Sequence, residues 1–159
     1  MTWKNEKRKY LLFAAAAAWM IMIFCFSHQK AEQSSEVSGT VTYRMAEGVN
    51  KVFKLNWEEK TLLKYAEDWQ HPVRKAAHMT EYAILACILL GNMVQYSFLK
   101  KKPYVWAWAG TTFYAVTDEF HQLFIEGRSG EFKDVCIDST GALIGLLIAW
   151  GVILAWRRR

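Results

Sequence analysis

The chain has 159 residues, of which 53% are hydrophobic and 15% aromatic, and its formal net charge is +5. This length fits a single domain. The overall hydropathy is nevertheless near zero, so the apolar residues must be concentrated in blocks that polar segments separate. Basic residues cluster at the ends of those blocks, which makes the positive charge a signal of membrane topology and removes the need for a nucleic-acid partner.

Four apolar blocks are visible, at about 10–27, 74–98, 104–125 and 135–156. Each is close to the roughly 20 residues that cross a hydrocarbon core about 30 Å thick. The second and third blocks contain ionisable residues, so hydropathy marks them less cleanly than the other two. The sequence predicts an all-α integral membrane protein, with four transmembrane helices in one domain over 1–159.

Three basic clusters define the predicted topology. They precede the first block, join the second to the third, and end the chain: Lys4, Lys7, Arg8 and Lys9; Lys100, Lys101 and Lys102; Arg157, Arg158 and Arg159. An even number of crossings puts all three on one side, which the positive-inside rule assigns to the cytoplasm. Both termini are therefore predicted inside, and the 28–73 segment outside. The basic residues of that segment are balanced by its acids and form no tight cluster.

The 28–73 segment is too polar to cross a membrane. Apolar residues recur in it every four positions, which is the spacing of a stripe on a helix: Val37, Val41, Met45, Val49 and Phe53. Asn56 and Glu59 resemble a capping box that starts a second short helix. Pro72 is expected to end that helix and to open the second transmembrane helix. The segment thus predicts two short interfacial helices that lie on the outer leaflet or cover a site.

Ionisable residues inside the apolar blocks are the strongest functional signal. A charge at membrane depth costs about 2.5–3.5 kcal/mol on insertion scales, so such residues are functional candidates by default. Arg74, His78 and Glu81 share one face of the second helix. Asp118 and Asp138, on the third and fourth helices, reach a similar depth by the helical rise per residue. Ser27 and Gln29 lie at the rim, so one outer polar layer is predicted.

Neighbouring residues complete this layer. Gln122 lies one turn from Asp118, and Asp134 one turn from Asp138, whereas Glu119 points about 100° away from Asp118 and is expected to face the membrane interface. A tight turn over 127–130 is expected to carry Arg128 above the cluster. Gly141 and Gly145 form a GxxxG surface, which predicts close helix packing and does not by itself predict a homodimer.

Several ordered motifs carry a resemblance. Phe-Ser-x-Gln closes the first helix, Arg-Lys-x-x-His-x-x-Glu-Tyr opens the second, Asp-Glu-x-x-Gln lies late in the third, and Gly-Arg precedes Asp-x-x-x-Asp. Together they resemble the VanZ-like family of membrane proteins, and the likeness runs from Phe26 to Gly145. Asp138 departs from the pattern, because Asn is expected there. The matching residues are Ser27, Gln29, Arg74, Lys75, His78, Glu81, Tyr82, Asp118, Glu119, Gln122, Gly127, Arg128, Asp134 and Asp138.

The resemblance implies a role at the bacterial cell envelope. The family is named for a protein associated with low-level teicoplanin resistance in Gram-positive bacteria. A member is expected to be a multi-pass protein of the plasma membrane that acts on envelope lipids or cell-wall precursors and influences glycopeptide susceptibility. The resemblance supplies no reaction, so the sequence leaves open whether the protein is an enzyme.

The first functional hypothesis is recognition or modification of an anionic lipid headgroup at the outer leaflet. Arg74 and Arg128 would hold a phosphate as charged donors. The candidate acid–base residues are His78, Glu81 and Asp118. Further substrate-binding candidates are Ser27, Gln29, Tyr82 and Gln122, and a divalent cation is a possible cofactor whose candidate ligands are Glu119, Asp134 and Asp138.

Three other functional hypotheses are compatible with the sequence. The same groups could serve a non-catalytic lipid carrier, alone or as a homo-oligomer. The 30–73 segment could instead bind a membrane-protein partner. Finally, the polar layer could be a structural network that fixes helix packing, in which Arg74 and Arg128 pair with Glu81, Asp118 and Asp138.

Overall fold

The computed structural model describes residues 3–158, with the side chains of residues 6–158. Arg159 and the side chain of Lys4, which belong to the predicted basic clusters, lie outside that range. The described chain contains five α-helices, a short 3-10 helix and no strand, which confirms the all-α prediction. The helices are α1 (Trp3–Ser27), α2 (Ala31–Phe53), α3 (Glu59–Met93), the 3-10 helix (Leu99–Lys101), α4 (Pro103–Gln122) and α5 (Phe132–Arg157).

Two of these helices are long and apolar enough to cross a membrane. They are α1, over Glu6–Ser27, and α5, over Phe132–Arg157, among the residues that the structure describes. Large apolar side chains also cover the outside of the helices: Phe113 is 72% exposed and Ile148 is 62% exposed. Extensive exposed apolar surface is typical of a membrane-facing protein. The other two crossings and the inside position of both termini stay predictions.

Helix α3 is the centre of the fold. It packs against α1, α2, α4 and α5, and its 35 residues extend about 52 Å at the helical rise of 1.5 Å per residue. Its buried residues Tyr82 and Leu85 contact α1 and α4 through Ile23 and Ala115 in one apolar cluster. A helix of this length is longer than a hydrocarbon core about 30 Å thick, so part of it must extend beyond such a core.

The predicted break at Pro72 is wrong. Pro72 lies inside α3, and the predicted second short helix is the first part of that helix. Proline removes one backbone hydrogen bond, to the carbonyl four residues earlier. That carbonyl belongs to Asp68, which is exposed, so water can satisfy it. Close to the proline, α3 is connected to α2 by a hydrogen bond, which Gln70 Nε2 donates to Ser38 Oγ at 3.0 Å.

The start of α3 also differs from the prediction. Asn56 has a left-handed backbone conformation with φ of 52°, and the helix is preceded by Glu58, which forms no side-chain cap. The turn is instead held by Asn50, whose side-chain oxygen accepts the backbone N–H of Trp57 at 3.0 Å. The capping-box prediction failed because Asn56 lies in the turn before the helix. The first stripe, in contrast, does form a helix, α2.

The seam between α3 and α5 depends on two glycines. A Cβ atom on Gly141 would lie 2.4 Å from the carbonyl oxygen of Met79, and one on Gly145 would lie 2.6 Å from that of Ala83. No side chain fits at such distances, so the two backbones can approach only because both residues are glycine. The predicted GxxxG surface is therefore occupied by α3 of the same chain.

Candidate functional site

Asp118, near the end of α4, is the hub of a buried polar cluster. Its side chain is 3% exposed. One carboxylate oxygen, Oδ2, accepts hydrogen bonds from Ser27 Oγ at 2.7 Å, Tyr82 hydroxyl at 3.2 Å and Gln122 Nε2 at 3.2 Å. These donors come from α1, α3 and α4. Asp118 therefore joins three helices at one end of the bundle, which we call the polar end.

Gln122 links this hub to the loop that follows α4. Its amide nitrogen also donates to Glu119 Oε1 at 3.1 Å, and its amide oxygen accepts Arg128 Nη1 at 3.3 Å. The other Glu119 oxygen accepts the backbone N–H of Glu131 at 3.0 Å. The loop lies against α4 because Gly130 has no side chain: a Cβ there would be 2.3 Å from the Glu119 carbonyl oxygen. Glu119 is thus buried, and the prediction that it faces the membrane interface is wrong.

A polar cavity of about 320 Å³ opens beside this cluster, between α3, α5, the start of α2 and the 123–131 loop. Its volume is within the range of small-ligand sites. Charged and polar side chains form most of its wall. The residues that line it are Ala31, Ser35, His71, Arg74, Lys75, His78, Glu119, Gln122, Gly127, Arg128, Ser129, Glu131, Lys133, Asp134, Ile137 and Asp138.

In the part of the chain that the structure describes, neither arginine of this wall pairs with a carboxylate. Arg128 donates to neutral oxygens, from Nε to the Gln29 carbonyl at 2.9 Å and from Nη2 to the Phe26 carbonyl at 3.4 Å. Within residues 6–158, Arg74 forms no hydrogen bond or ion pair. Burial and then the neighbouring Arg74 lower the pKa of Arg128, while Asp118 and Glu119 act in the opposite direction. Arginine nevertheless stays protonated in proteins, so two like charges share one cavity.

This arrangement disagrees with the predicted structural network. In the described part of the chain, neither arginine forms an ion pair with Glu81, Asp118 or Asp138. The ion pair found in the cavity joins Lys75 Nζ to Asp134 Oδ1, from α3 to α5. The helices are therefore connected by a lysine, and the arginines are left facing the cavity.

Two further wall residues also lack partners within residues 6–158. Asp138 is 2% exposed and lines the cavity, yet its carboxylate forms no hydrogen bond or ion pair there. The imidazole of His78, on α3, also lines the cavity and forms no hydrogen bond or ion pair within residues 6–158. A buried polar group without a partner is costly, so the unpaired carboxylate of Asp138, beside the half-buried side chains of His78 and Arg74, gives the cavity the features of a binding site.

The other predicted site residues lie outside the cavity wall. Ser27 and Tyr82 are behind it, on Asp118. Gln29 contributes its backbone carbonyl to Arg128. Glu81 does not line the cavity. It shares the helix face of Arg74 and His78, but it lies deeper along α3 than Met79, where the contact with Gly141 closes the space between α3 and α5.

Two of the predicted cation ligands, Glu119 and Asp134, make other contacts. Among the described residues, no group of three or more His, Cys, Asp or Glu side chains is placed to hold a metal ion. Glu119 accepts hydrogen bonds from Gln122 and the Glu131 backbone, and Asp134 pairs with Lys75. The structure thus shows no preformed cation site at these carboxylates.

Sequence reasoning missed several wall residues. Lys75 belongs to the Arg-Lys-x-x-His-x-x-Glu-Tyr motif, but no role was predicted for it. Glu131 and Lys133 precede and open α5, and Ser35 comes from α2. No local pattern marks them, because their places depend on how the 123–131 loop and α2 fold onto the end of α3.

These observations define a helical protein of membrane type, with a polar cavity at one end of its bundle. A comparison with protein families identifies it further: the model of the VanZ/LLP1 family matches residues 12–155. The chain belongs to the VanZ/LLP1 family, as the motifs predicted. Comparisons with curated proteins and with solved structures find no matching relative.

Proposed function

We propose that the polar cavity binds the anionic headgroup of an envelope lipid or lipid-linked cell-wall precursor. The observation that carries the proposal is the pair of arginines that face the cavity without a carboxylate partner among the described residues. Guanidinium groups bind phosphate through charged, often bidentate hydrogen bonds. Arg74 and Arg128 approach from α3 and from the 123–131 loop, so both can contact one phosphate.

The acidic wall residues narrow the kind of headgroup. The cavity also presents Asp138, whose carboxyl group has no partner in the described chain, and a free phosphate would leave it without one. A carboxylate accepts hydrogen bonds, so hydroxyl groups are suitable partners. A phosphate that carries a glycerol or a sugar would satisfy the arginines with its anionic oxygens and the carboxylates with its hydroxyls. We therefore favour a polyhydroxylated phosphate headgroup over free phosphate.

The proposal includes a membrane position for the site. The polar end would face the extracytoplasmic side of a bacterial plasma membrane, with α1, α4, α5 and the second part of α3 as the four crossings. The three basic clusters support this orientation. Binding such a precursor would alter susceptibility to teicoplanin-type glycopeptides, an extension that rests on the family resemblance.

His78 is the residue placed for chemistry on a bound headgroup. Its imidazole lines the cavity and has no hydrogen-bond partner among residues 6–158, so either ring nitrogen can exchange a proton with a ligand. Recognition does not require this step. Replacement of His78 by Ala would therefore leave lipid binding in place and would remove turnover of the bound lipid.

The test of recognition is native mass spectrometry of protein gently extracted from its own membrane. We expect an anionic lipid to remain bound to the wild type and to be lost from Arg74→Ala. The matched control is Arg44→Ala, because Arg44 is exposed and pairs with Glu47 on α2 at 3.9 Å, away from the cavity. Equal lipid retention by both variants and the wild type, or no specific lipid in any sample, would contradict the proposal.

A further inference from the structure

Two histidines meet at the polar end of the bundle, outside the cavity wall. His28 follows the last residue of α1, and His121 is in the last turn of α4. Their ring nitrogens, His28 Nδ1 and His121 Nε2, are 3.2 Å apart, and neither residue lines the polar cavity. His28 is exposed and His121 is half-buried. The pair therefore lies at the surface, and the proposed function does not use it.

The side chain of Phe24 contacts both imidazole rings. Its ring is nearly parallel to that of His28, with the centroids 5.9 Å apart, and its centroid is 4.4 Å from that of His121. The planes of the two imidazoles are within 15° of parallel. Contact with a third ring restricts the rotation of both imidazoles, so the two nitrogens are already close together before a ligand binds.

The separation of the two nitrogens suits a metal ion as well as it suits a hydrogen bond. Zinc binds imidazole nitrogen at about 2.0–2.1 Å in tetrahedral geometry, which places two such nitrogens roughly 3.3–3.4 Å apart. The observed 3.2 Å is close to this value. A hydrogen bond between the rings requires one N–H donor and one acceptor. For both nitrogens to bind a metal, that proton only has to move to the other nitrogen of its own ring.

The ends of two helices favour a cation at this position. The carboxyl end of a helix carries partial negative charge, and both α1 and α4 end beside the pair. Arg128 already binds carbonyl oxygens at the end of α1, so the larger contribution comes from α4.

We propose that His28 and His121 bind one divalent transition-metal ion, of which zinc is the best fit. Neutral imidazole is a preferred ligand of zinc, copper and nickel. The two protein ligands leave the remaining coordination positions of a tetrahedral ion to water, so the affinity is moderate. The bound ion would connect the end of α1 to the end of α4.

The test is isothermal titration calorimetry with Zn²⁺ alone. The protein is kept in detergent, purified without a polyhistidine tag and freed of metal by a chelator. The variants are His28→Ala, His121→Ala and the two together. His71→Ala is the matched control, because His71 is exposed as His28 is but lies on α3. Thermal unfolding of each protein, with and without Zn²⁺, checks that the variants fold and gives a second measure of binding.

We expect one equivalent of Zn²⁺ to bind the wild type and His71→Ala alike, and to raise the unfolding midpoint of both. Each of the other single variants should bind Zn²⁺ at least about tenfold more weakly, roughly 1.4 kcal/mol. The double variant should lose no more than the single ones, because the two ligands belong to one site. No binding by the wild type, or binding that survives both substitutions, would overturn the proposal and leave the contact as a hydrogen bond. A loss in His71→Ala as large as in His28→Ala would also overturn it.

Discussion

Helices α3 and α5 meet in two different ways along one seam. At Gly141 and Gly145 the two backbones are so close that a Cβ atom would be within 3 Å of α3. One turn nearer the polar end, the same helices separate around a cavity with Arg74 and Asp138 on its wall. The comparison shows that small residues are sufficient to pack this pair of helices. The charged residues of the open part that form no ion pair in the described chain, Arg74 and Asp138 among them, therefore need another explanation, and we attribute them to a ligand.

A second contrast separates the polar groups themselves. Asp118 accepts three hydrogen bonds from three helices, whereas Arg74 and His78 face the cavity without partners in the described chain. The first arrangement stabilises the fold and the second leaves capacity for a ligand. Substitutions in the two groups should consequently differ in kind, with Asp118 affecting stability and Arg74 affecting binding.

The largest expected effect is on the closed part of the seam. Gly145→Leu should lower the free energy of unfolding by at least about 3 kcal/mol, because the new side chain collides with the Ala83 backbone. The measurement is the thermal unfolding midpoint in detergent, with size-exclusion chromatography as a check of monodispersity. Gly151→Leu is the control, since nothing lies within 4 Å of a Cβ at that position. An equal loss of stability in both variants would show that α3 and α5 are not unusually close at Gly145.

Asp118→Ala should have the next largest effect. It leaves the Ser27, Tyr82 and Gln122 donors without their shared acceptor, and we expect a loss of about 2–4 kcal/mol in unfolding free energy. Asp118→Asn retains one acceptor oxygen and should lose less. Thermal unfolding of the two variants measures the difference. An Asp118→Ala protein as stable as the wild type would show that the cluster does not stabilise the fold.

Arg128→Ala should affect both properties. Its guanidinium holds the loop through the carbonyls of Phe26 and Gln29 and the side chain of Gln122, and loss of these bonds should cost about 1–2 kcal/mol. Lipid binding should fall as well. Lysine keeps the positive charge but lacks the several N–H donors of the guanidinium group. Arg128→Lys should therefore restore lipid binding more fully than it restores the free energy of unfolding. Full stability of Arg128→Ala would contradict the role of Arg128 in holding the loop.

The smallest effect concerns the ion pair of Lys75 and Asp134. The two side chains are 24% and 19% exposed, so their coupling should be about 1 kcal/mol. A double-mutant cycle of Lys75→Met and Asp134→Asn, read by thermal unfolding, measures it. A coupling of zero would mean that this pair does not help to hold α3 to α5 at the cavity. A much larger one would make the pair part of a structural network after all.

Several features could be predicted from the sequence because they depend on local order. The apolar stripe from Val37 to Phe53 marked α2, and two of the apolar blocks are long enough to span a membrane. The helical periodicity placed Arg74 and His78 on one face of their helix, and the structure puts both on the cavity wall. Of the three acids predicted at a common depth, Glu81, Asp118 and Asp138, Asp138 lines the cavity and the other two do not. The ordered motifs also identified the family.

Other features depend on packing that the sequence does not display. Pro72 stays inside α3 because α2 supports the helix there. Glu119 is drawn inward by Gln122 and the Glu131 backbone, a contact that requires the loop to fold back at Gly130. Glu81 is absent from the cavity wall, because the contact between Gly141 and Met79 closes the space between α3 and α5 before the depth of Glu81. In each case a neighbour that is remote in sequence decides the outcome.

We infer that the open part of the seam serves a ligand and that folding does not require it. The most direct measurement is the thermal unfolding midpoint of the wild type and Arg74→Ala in detergent, each with and without added phosphatidylglycerol. Without lipid we predict a midpoint for Arg74→Ala that is no lower than that of the wild type, since Arg74 has no hydrogen-bond or ion-pair partner in the described chain and lies beside the like charge of Arg128. Added lipid should raise only the wild-type midpoint, because a ligand stabilises the state that binds it. A lower midpoint for Arg74→Ala without lipid, or an equal rise in both proteins, would contradict the claim.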